Sequence, residues 1–586
     1  MTILHTAQAD VAFLDRVVEA ADRHVEALLE THDAEVPGLA HRPAMGRLLA
    51  MVAVFTEPGS AFREADGLRE PMARCLDRLE MLQGPTGLFD GTNLCSPPDS
   101  AFTLNDVCLA LSLIRALDGP GDPLLAEVDA RLSGIVSRAI DAMVTGGVHT
   151  PNHRWELCAA LAQINGLQPR PDIAERIGEW LAEGIDQLPD GMYSERSPLY
   201  ATAVTNPSLI TIADSSGRPE LLDHVRRNLT AFLPWFSPDG NVESVFSRRQ
   251  DQWMDFDAAP FLPLYRRLAN QDGRHDFAAA AAWLDRLPLH EPAKLLAMTR
   301  LDPWLREALP GNRPAGALAP SSNGDEGLPA TFIPADAALG DCGVYRFRRA
   351  GSVTTVFGGC DELVPGVVSG LATNPTFLRF AHGAAVLAGV RLSRSFFDLG
   401  PFRSRNTERI GTAVTMAEEL EANFYLPLPP QKRRADGIYA LEHEGRFSAS
   451  MDFRSRPTVV HRLATHVAVQ VEGEHTVLEI SFEGADTAFA LELTFRPGGT
   501  LDGVIPLAAP DTFQLVEGAG SYRLGGDVIE FGPGSAAHPD TPAAYNPGET
   551  YRYLAGTNAS GGVKVFITGR TSGSHRFTLR GRSLAS

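Results

Sequence analysis

The chain has 586 residues, of which 44% are apolar, 8% aromatic and 21% charged, and its mean hydropathy is -0.08. This composition is that of an ordinary globular protein and excludes disordered, collagen-like and membrane-spanning chains. The formal net charge of -20 argues against general binding to nucleic acid or anionic membranes, because counterion release needs a basic surface. Residues 1–10 carry no signal-peptide pattern, so the sequence predicts a cytoplasmic protein.

The hydrophobic period changes once along the chain. Up to about Leu301 the apolar residues recur at helical spacing, as they do from Val128 to Met143. About a dozen such segments, joined by short turns, predict the stacked helical hairpins of an α/α toroid. Towards the C-terminus the period is two, as from Phe489 to Phe495, which predicts an antiparallel β-sandwich.

The sequence therefore predicts a multidomain α + β protein. We expect residues 1–310 to form the α/α toroid, either incomplete or with about six hairpins, and residues 336–586 to form the antiparallel β-sandwich. Residues 311–335 are rich in Pro, Gly, Ala and Ser and are the expected linker. The cysteines are far apart and lack zinc-site spacing, so no cofactor is predicted, and a structural divalent metal has no support in the sequence.

The run Thr150–Glu156 opens an apolar helix. Thr150 suits the N-cap and Pro151 the first helical position, which places Asn152 and His153 in the first turn. Polar donors at the positive end of a helix suit a carboxylate or a developing oxyanion. The alternative is that Asn152 only supports the cap and that His153 is a surface residue.

A second run, Asp190–Tyr200, ends at another helix start. Ser197 suits the N-cap and Pro198 the first helical position, so Tyr200 falls in a first turn. We expect the helix dipole to favour its phenolate and to lower its pKa. The alternative is a tyrosine packed in the core with one hydrogen bond, and Tyr193 is the rival tyrosine for the functional role.

A third run, Phe89–Phe102, is dense in turn-forming residues and carries two aromatic side chains. Loops on a rigid scaffold often bind ligands, so Phe89 and Asn93 are candidates for a sugar platform and a polar clamp. A turn stiffened by proline explains the same residues equally well.

The Asn152-His153 pair, the Asp-Gly-x-x-x-Glu-x-Ser-x-x-Tyr run ending at Tyr200, and the helical-then-β order resemble the heparinase II/III-like polysaccharide lyases, which include alginate and oligoalginate lyases. The resemblance spans most of the chain. It implies a toroid followed by a sandwich and β-elimination on uronic-acid-containing glycans. It assigns Asn152 and His153 to carboxylate neutralisation or proton abstraction, and Tyr200 to protonation of the leaving oxygen.

One stretch departs from the pattern of that family. Its members usually carry a His-x-His-x-Asp-like run on an early sandwich strand, whereas Leu371–His382 contains no such run and has His382 displaced. Asn374 and Arg379 are candidates to replace the histidine, since arginine binds carboxylates bidentately. His382 itself suits either a ligand or a packed histidine. Further candidate substrate-binding residues flank the toroid motifs: Arg154, Glu195 and Arg196.

Three functions stay open from the sequence. The first is a lyase acting on uronic-acid-containing oligosaccharides, with exo action on imported ones. The second is a glycoside hydrolase, whose acid and base would be drawn from Glu156, Asp190, Glu195, Glu243 and Asp255. The third is a carbohydrate-binding protein without catalysis. An anionic oligosaccharide is the expected partner, favoured by the basic run Arg391–Arg405, and a homo-oligomer is left open.

Overall fold

The computed structural model describes residues 8–89, 95–117, 122–311, 328–329, 332–361, 374–399, 401–444, 448–535, 541–548 and 561–584. These residues divide into two compact units. The first takes the described residues within Met1–Ser194, Pro198–Val242 and Asp257–Leu318. The second takes those within Glu195–Ser197, Glu243–Phe256 and Ala319–Ser586. Most of the predicted linker lies outside the described residues, and the domain boundaries stay a prediction.

The first unit is helical, as the period of its apolar residues predicts. Its helices are, in chain order, α1 (Val11–Glu35), α2 (His41–Thr56), α3 (Arg69–Leu82), α4 (Pro97–Arg115), α5 (Pro123–Thr145), α6 (His153–Leu167), α7 (Pro171–Ala182), α8 (Pro198–Tyr200), α9 (Asn206–Ser216), α10 (Leu222–Phe232), α11 (Leu262–Asp272), α12 (His275–Leu284), α13 (Pro292–Leu301) and α14 (Pro303–Arg306). A π-helical turn, Ala201–Thr205, joins α8 to α9. Within the described residues, no helix is both long and apolar enough to cross a membrane.

The helices pack in two rows, as expected for stacked hairpins. In one row α2 contacts α4, α4 contacts α6, and α6 contacts α9. In the other row α3 contacts α5, and α5 contacts α7. Burial explains the division: α2 buries nearly all of its residues, whereas α7 buries only Ile173 and Ile177. A helix that is apolar all round belongs inside, and one with a single apolar stripe belongs outside.

The two ends of the helical unit meet. Helix α1 packs against α13, and the guanidinium of the buried Arg266 ties the end of the unit to its beginning. Arg266 donates to the carbonyl oxygens of Leu305 at 2.7 Å and Glu307 at 2.8 Å, and to the carboxylate of Asp10 at 2.8 Å. Because its donors are satisfied by groups from both ends, this buried charge closes the helical ring.

The second unit is built from strands. The strands within the described residues are, in order, β1 (Asn241–Val242), β2 (Phe256–Asp257), β3 (Asp336–Leu339), β4 (Val344–Arg349), β5 (Ser352–Phe357), β6 (Leu378–His382), β7 (Ala385–Arg394), β8 (Asn406–Ile410), β9 (Ala413–Tyr425), β10 (Glu442–His443), β11 (Ser448–Ala449), β12 (Thr458–Glu472), β13 (His475–Gly484), β14 (Ala488–Phe495), β15 (Thr500–Asp502), β16 (Ile505–Pro506), β17 (Thr512–Gln514), β18 (Gly520–Leu524), β19 (Asp527–Gly532), β20 (Val563–Arg570) and β21 (Gly573–Ser583).

Two large sheets form the sandwich. The eight-stranded sheet has the order β15-β18-β19-β21-β13-β12-β9-β8, and the nine-stranded sheet has the order β16-β17-β20-β14-β7-β6-β5-β4-β3. Their pairings are antiparallel, as predicted, except that β17 runs parallel to β20. Alternate residues of both sheets meet in one core, for example Leu392 and Leu491 from one sheet and Val467 and Ile480 from the other. This alternation is the period of two seen in the sequence.

Candidate functional site

Three helices of the inner row begin at one end of the helical unit, and residues near their starts are in contact. The guanidinium of Arg42 at the start of α2 lies 3.8 Å from the ring centre of Phe102 near the start of α4. That ring lies 6.2 Å from the ring of His153, the first residue of α6, in an edge-on arrangement. We call Arg42, Phe102, His149 and the Asn152-His153 pair the helix-start cluster.

The Asn152-His153 pair occupies the start of α6, but the helix begins two residues later than expected. Asn152 is at the N-cap position and is buried, and His153 is the first helical residue. Thr150 does not cap the helix, because its hydroxyl donates to the side-chain oxygen of Asn152 at 3.3 Å while its carbonyl accepts the His153 N–H at 3.2 Å. The half-buried His153 ring also meets the exposed His149 ring edge-on at 4.8 Å.

Arg42 is a residue of the cluster that the sequence analysis missed. Its guanidinium forms an ion pair with the buried carboxylate of Asp99, which also bonds to Nε2 of His41 at 3.1 Å. Nδ1 of His41 lies 2.7 Å from the hydroxyl of Thr103. These buried partners fix Arg42 over the Phe102 ring, where a cation is attracted to the ring face, while 39% of its side chain stays exposed.

The side chain of Phe89 is buried in the helical unit and is not placed where a sugar could stack on it. Its ring is fully buried and stacks on His41 at 5.1 Å, and its N–H donates to the hydroxyl of Ser100 at 2.9 Å. The ring therefore offers no exposed face to a sugar, and the platform assignment of Phe89 is corrected: Phe102, the other aromatic residue of the same run, is the half-buried one. Asn93 lies outside the described residues.

The two rival tyrosines have different surroundings. Tyr193 is buried and donates to the side-chain oxygen of Asn206 at 2.7 Å, and Asn206 donates in turn to Asn228 at 2.9 Å. Burial raises the pKa of Tyr193 well above its ordinary value. Tyr193 is therefore the packed core tyrosine. Tyr200 is half-buried instead, as the last residue of α8.

A π-helical turn follows Tyr200 directly and packs against α6, the helix that begins with His153. Helix α8 begins at Pro198, as predicted. Single π turns inside helices are rare and occur often at functional sites. Helix α9, which continues from this turn, also packs against α6. The π-helical turn that follows Tyr200 is thus a neighbour of the helix that begins with His153.

The turn before Tyr193 requires a glycine. Gly191 has φ +95°, and a Cβ atom there would lie 2.9 Å from the carbonyl oxygen of Arg227. The side chain of Asp190 accepts the N–H of Met192 at 3.2 Å. The Asp-Gly pair of the sequence run therefore shapes the turn that leads towards Tyr200.

Arg154 is held by carboxylates next to the helix-start cluster. Its guanidinium pairs with Glu183 at 2.8 Å and Asp186 at 3.3 Å, and it lies 4.5 Å from the ring of Trp155. Only 13% of its side chain is exposed. These contacts describe a residue that anchors the first turn of α6, in place of the substrate contact expected from the sequence.

Glu195 and Arg196 belong to the second unit. Glu195 pairs with Arg249 at 3.2 Å. Arg196 has φ +54° and donates to the carbonyl oxygens of Gly359 at 2.9 Å and Asp341 at 3.0 Å. Both side chains are buried, so these contacts tie segments of the second unit together.

Arg379 and Glu243 form part of a buried charge cluster in the second unit. The carboxylate of Glu243 pairs with Arg346 at 3.0 Å and with Arg379, and it accepts the N–H groups of Ser244 and Val245, both at 3.0 Å. Burial alone would raise the pKa of Glu243, but the charges of Arg379 and Arg346 outweigh it and hold that pKa below its usual value. Arg379 thus compensates a carboxylate of its own unit.

Asn374 and His382 are also tied down. Asn374 is buried, donates to the carbonyl oxygen of Gln252 at 3.0 Å and accepts the N–H of Thr376 at 2.9 Å. The His382 ring nitrogens lie 2.9 Å from the hydroxyl of Ser352 and 3.1 Å from that of Ser583, and burial lowers its pKa. His382 is therefore the packed histidine of the two readings given by the sequence.

The carboxylates considered for a hydrolase are engaged in structural contacts. Glu156 is buried in the helical unit, where it accepts from Asn105 at 2.6 Å and Ser208 at 3.1 Å, and burial raises its pKa to about 7. Asp255 pairs with Arg496 at 3.0 Å. Within the part of the chain that is described, no group of three or more His, Cys, Asp or Glu side chains is arranged to hold a metal ion.

Comparison with protein-family models and with curated protein sequences gives no match. Solved structures do match. Xanthan lyase from Paenibacillus aligns with a TM-score of 0.52 and 11% identity, over 98% of this chain and 57% of that one. A mutant of chondroitin AC lyase from Streptomyces coelicolor A3 aligns with a TM-score of 0.51 and 13% identity, over 99% and 80% of the chains. Heparinase III aligns with a TM-score of 0.50 and 12% identity, over 93% of this chain and 76% of that one.

These structures share with this chain the order of a helical toroid and a β-sandwich. Because the sequence identities are only 11–13%, the similarity to these structures is one of fold. The predicted fold class, an α/α toroid followed by an antiparallel β-sandwich, is confirmed, and so is the structural resemblance to heparinase-like polysaccharide lyases.

Proposed function

We propose that the protein is a polysaccharide lyase that cleaves uronic-acid-containing oligosaccharides by β-elimination. The helix-start cluster carries this proposal, because it combines a cation, an amide and an imidazole at the positive ends of adjacent helices. The fold shared with lyases supports it. The roles of Asn152, His153 and Tyr200 are those that the family resemblance implies, and Arg42 is added from its position over Phe102.

Anion binding is the first task of such a site. The α-proton of a uronate becomes acidic enough to remove only when the negative charge that develops on the carboxyl group is stabilised. The start of α6 carries a partial positive charge, and Arg42, which is ion-paired with Asp99 on one side, adds a partly exposed guanidinium within the same cluster. We assign Asn152 and Arg42 to the substrate carboxylate.

Proton transfer is the second task. In our proposal His153 takes the proton from the carbon next to the carboxylate, and the electrons of that C–H bond form the new C=C bond. The C–O bond of the glycosidic linkage breaks, and the Tyr200 hydroxyl gives its proton to the leaving oxygen. One product then carries an unsaturated uronate and the other a new hydroxyl group. No water is consumed, which separates this reaction from hydrolysis.

The test is a panel of uronate and neutral oligosaccharides, followed by ultraviolet absorbance and by mass spectrometry of the products. We expect absorbance from the conjugated uronate to rise with uronate substrates, and the two products to sum to the mass of the substrate. Tyr200→Phe should lose turnover by at least about a hundredfold, because it removes the proton donor.

Tyr193→Phe is the matched control. It removes a tyrosine hydroxyl seven residues earlier in the chain, in the core, where that hydroxyl bonds to Asn206. We expect it to lower the melting temperature and to leave turnover near that of the wild type. Products that gain a water, or equal loss of turnover in both variants, would overturn the proposal. Exo action and a cytoplasmic location remain predictions, and the lengths of the early products test the first of them.

A further inference from the structure

The second unit contains a cavity of about 360 Å³. Its floor is the outward face of the nine-stranded sheet, formed by Ser393 of β7 and by Ala488 and Ala490 of β14. Its wall includes Tyr545 and Asn546. This volume lies within the range of small-molecule binding sites. None of these residues belongs to the helix-start cluster.

The small side chains of the floor create the hollow. Ser393 lies directly opposite Ala490 in the antiparallel pairing of β7 with β14. Two residues further along the strands, the same face carries the long side chains of Arg391 and Glu492, which pair at 2.6 Å. Long side chains therefore cover this face of the sheet at Arg391 and Glu492, and the short side chains of Ser393 and Ala490 leave a hollow beside them.

The wall is fixed in place by contacts of its own. The side chain of Asn546 donates to the carboxylate of Asp398 at 2.7 Å and accepts the N–H of Gly548 at 3.0 Å. The Arg391 guanidinium lies 4.0 Å from the ring centre of Tyr545, which makes a cation–π contact. The cavity is therefore already formed before a ligand binds, which reduces the ordering cost of binding.

The chemistry of the lining selects the ligand. No charged side chain lines the cavity among the described residues. Arg391 and Arg394, whose charges act on Tyr545, are paired with Glu492 and Glu418. The lining residues include Ser393, Ser395 and Tyr545, which carry hydroxyl groups, and several alanine and proline residues. Within the described residues, the Tyr545 hydroxyl is buried without a hydrogen-bond partner, which is costly unless a ligand or solvent supplies one.

From this geometry we propose that the cavity at Ser393, Ala490 and Tyr545 binds a neutral saccharide of one or two rings. Sugar hydroxyls both donate and accept hydrogen bonds, as the lining hydroxyls do, and the C–H faces of a sugar ring suit the alanine and proline surfaces. A uronate would bring a negative charge, and among the described lining residues there is no cation to pair with it. This inference stands independently of the lyase proposal, since it concerns binding in another unit of the chain.

Calorimetric titration of the full chain with neutral mono- and disaccharides, and with the matching uronates, tests the inference. We expect one neutral sugar to bind in a 1:1 ratio and the uronates to bind more weakly at this site. Tyr545→Phe keeps the ring over Arg391 but removes the hydroxyl, and should weaken binding about three- to tenfold.

Ala490→Leu fills the floor of the cavity and should weaken binding by more than about tenfold. Ala468→Leu makes the same change on the outward-facing side of β12 in the other sheet, and serves as the control for folding and stability. It should bind like the wild type. Absence of binding by every neutral sugar, or unchanged affinity in Ala490→Leu when its melting temperature matches that of the control, would overturn the inference.

Discussion

Charged side chains are used differently in the two units. In the second unit Glu243, Arg346 and Arg379 compensate one another, and only 5% of the Glu243 side chain is exposed. In the helical unit Arg42 is paired at one side with Asp99 but keeps 39% of its side chain exposed, next to a half-buried His153. Mutually compensated, buried charges hold a fold together, whereas partly exposed ones at helix starts are open to a ligand.

Substitution of His153 in the helical unit and of His382 in the second unit tests this difference most directly. His153→Gln removes the proposed base and should lower kcat by about a hundredfold to ten-thousandfold, the usual range for general acid–base residues. His382→Gln loses ring contacts with Ser352 and Ser583 and should lower stability by about 1–2 kcal/mol while turnover stays near normal. Turnover and melting temperature, measured side by side, check both.

If His382→Gln abolished turnover while its melting temperature stayed normal, the assignment of His382 to packing would be wrong. The sandwich histidine would then be catalytic, as in the family that the sequence resembles. A His153→Gln variant with normal turnover would remove the helix-start cluster from the reaction.

The Glu243 cluster gives the next largest effect, on stability. Glu243→Gln leaves Arg346 and Arg379 without their shared carboxylate in a buried place, and should lower the free energy of unfolding by about 3–5 kcal/mol. Glu474→Gln is the matched control, since Glu474 pairs with Arg580 at 2.8 Å on the surface, where an ion pair contributes little to stability. Denaturant titration measures both, and equal losses would show that the cluster is not special.

Features that arise within one helix or strand could be predicted from the sequence, whereas those that depend on tertiary contacts could not. The periods of 3.6 and 2 predict helices and strands because they arise within one element, and proline marked the start of α8 for the same reason. The assignment of the tyrosines needs tertiary contacts. Tyr193 is made a core residue by Asn206, 13 residues further along, and by the packing of Asn228 behind it.

The place of Arg42 in the helix-start cluster could not be predicted from the sequence. Its signal was a His-Arg-Pro run at the start of an apolar helix, which is weak by itself. Its role depends on Asp99 and Phe102, which lie on α4 and reach it only because α2 packs against α4. The same packing buries Phe89 and leaves Phe102 half-buried, so the choice between the two aromatic residues is also a tertiary effect.

Glu156 predicts a pH-dependent stability within the helical unit. Burial raises its pKa from 4.5 to about 7, so the folded state holds a proton that the unfolded state releases between these values. Stability should therefore fall as the pH rises from about 4.5 to about 7, by about 3 kcal/mol. Glu156→Gln should lose this part of the slope, because an amide has no proton to release. A slope unchanged by the substitution would show that Glu156 is ionised in the fold.

The smallest expected effect is on KM, and it compares the two aromatic residues Phe89 and Phe102 of one short run. Phe102→Leu removes the ring between Arg42 and His153, and should raise KM about three- to tenfold, since a cation–π contact contributes about 0.5–2 kcal/mol. Phe89→Leu changes a fully buried ring and should lower the melting temperature instead, with KM unchanged. Because the substitution is the same, a larger rise in KM for Phe89→Leu would return the sugar-binding role to Phe89.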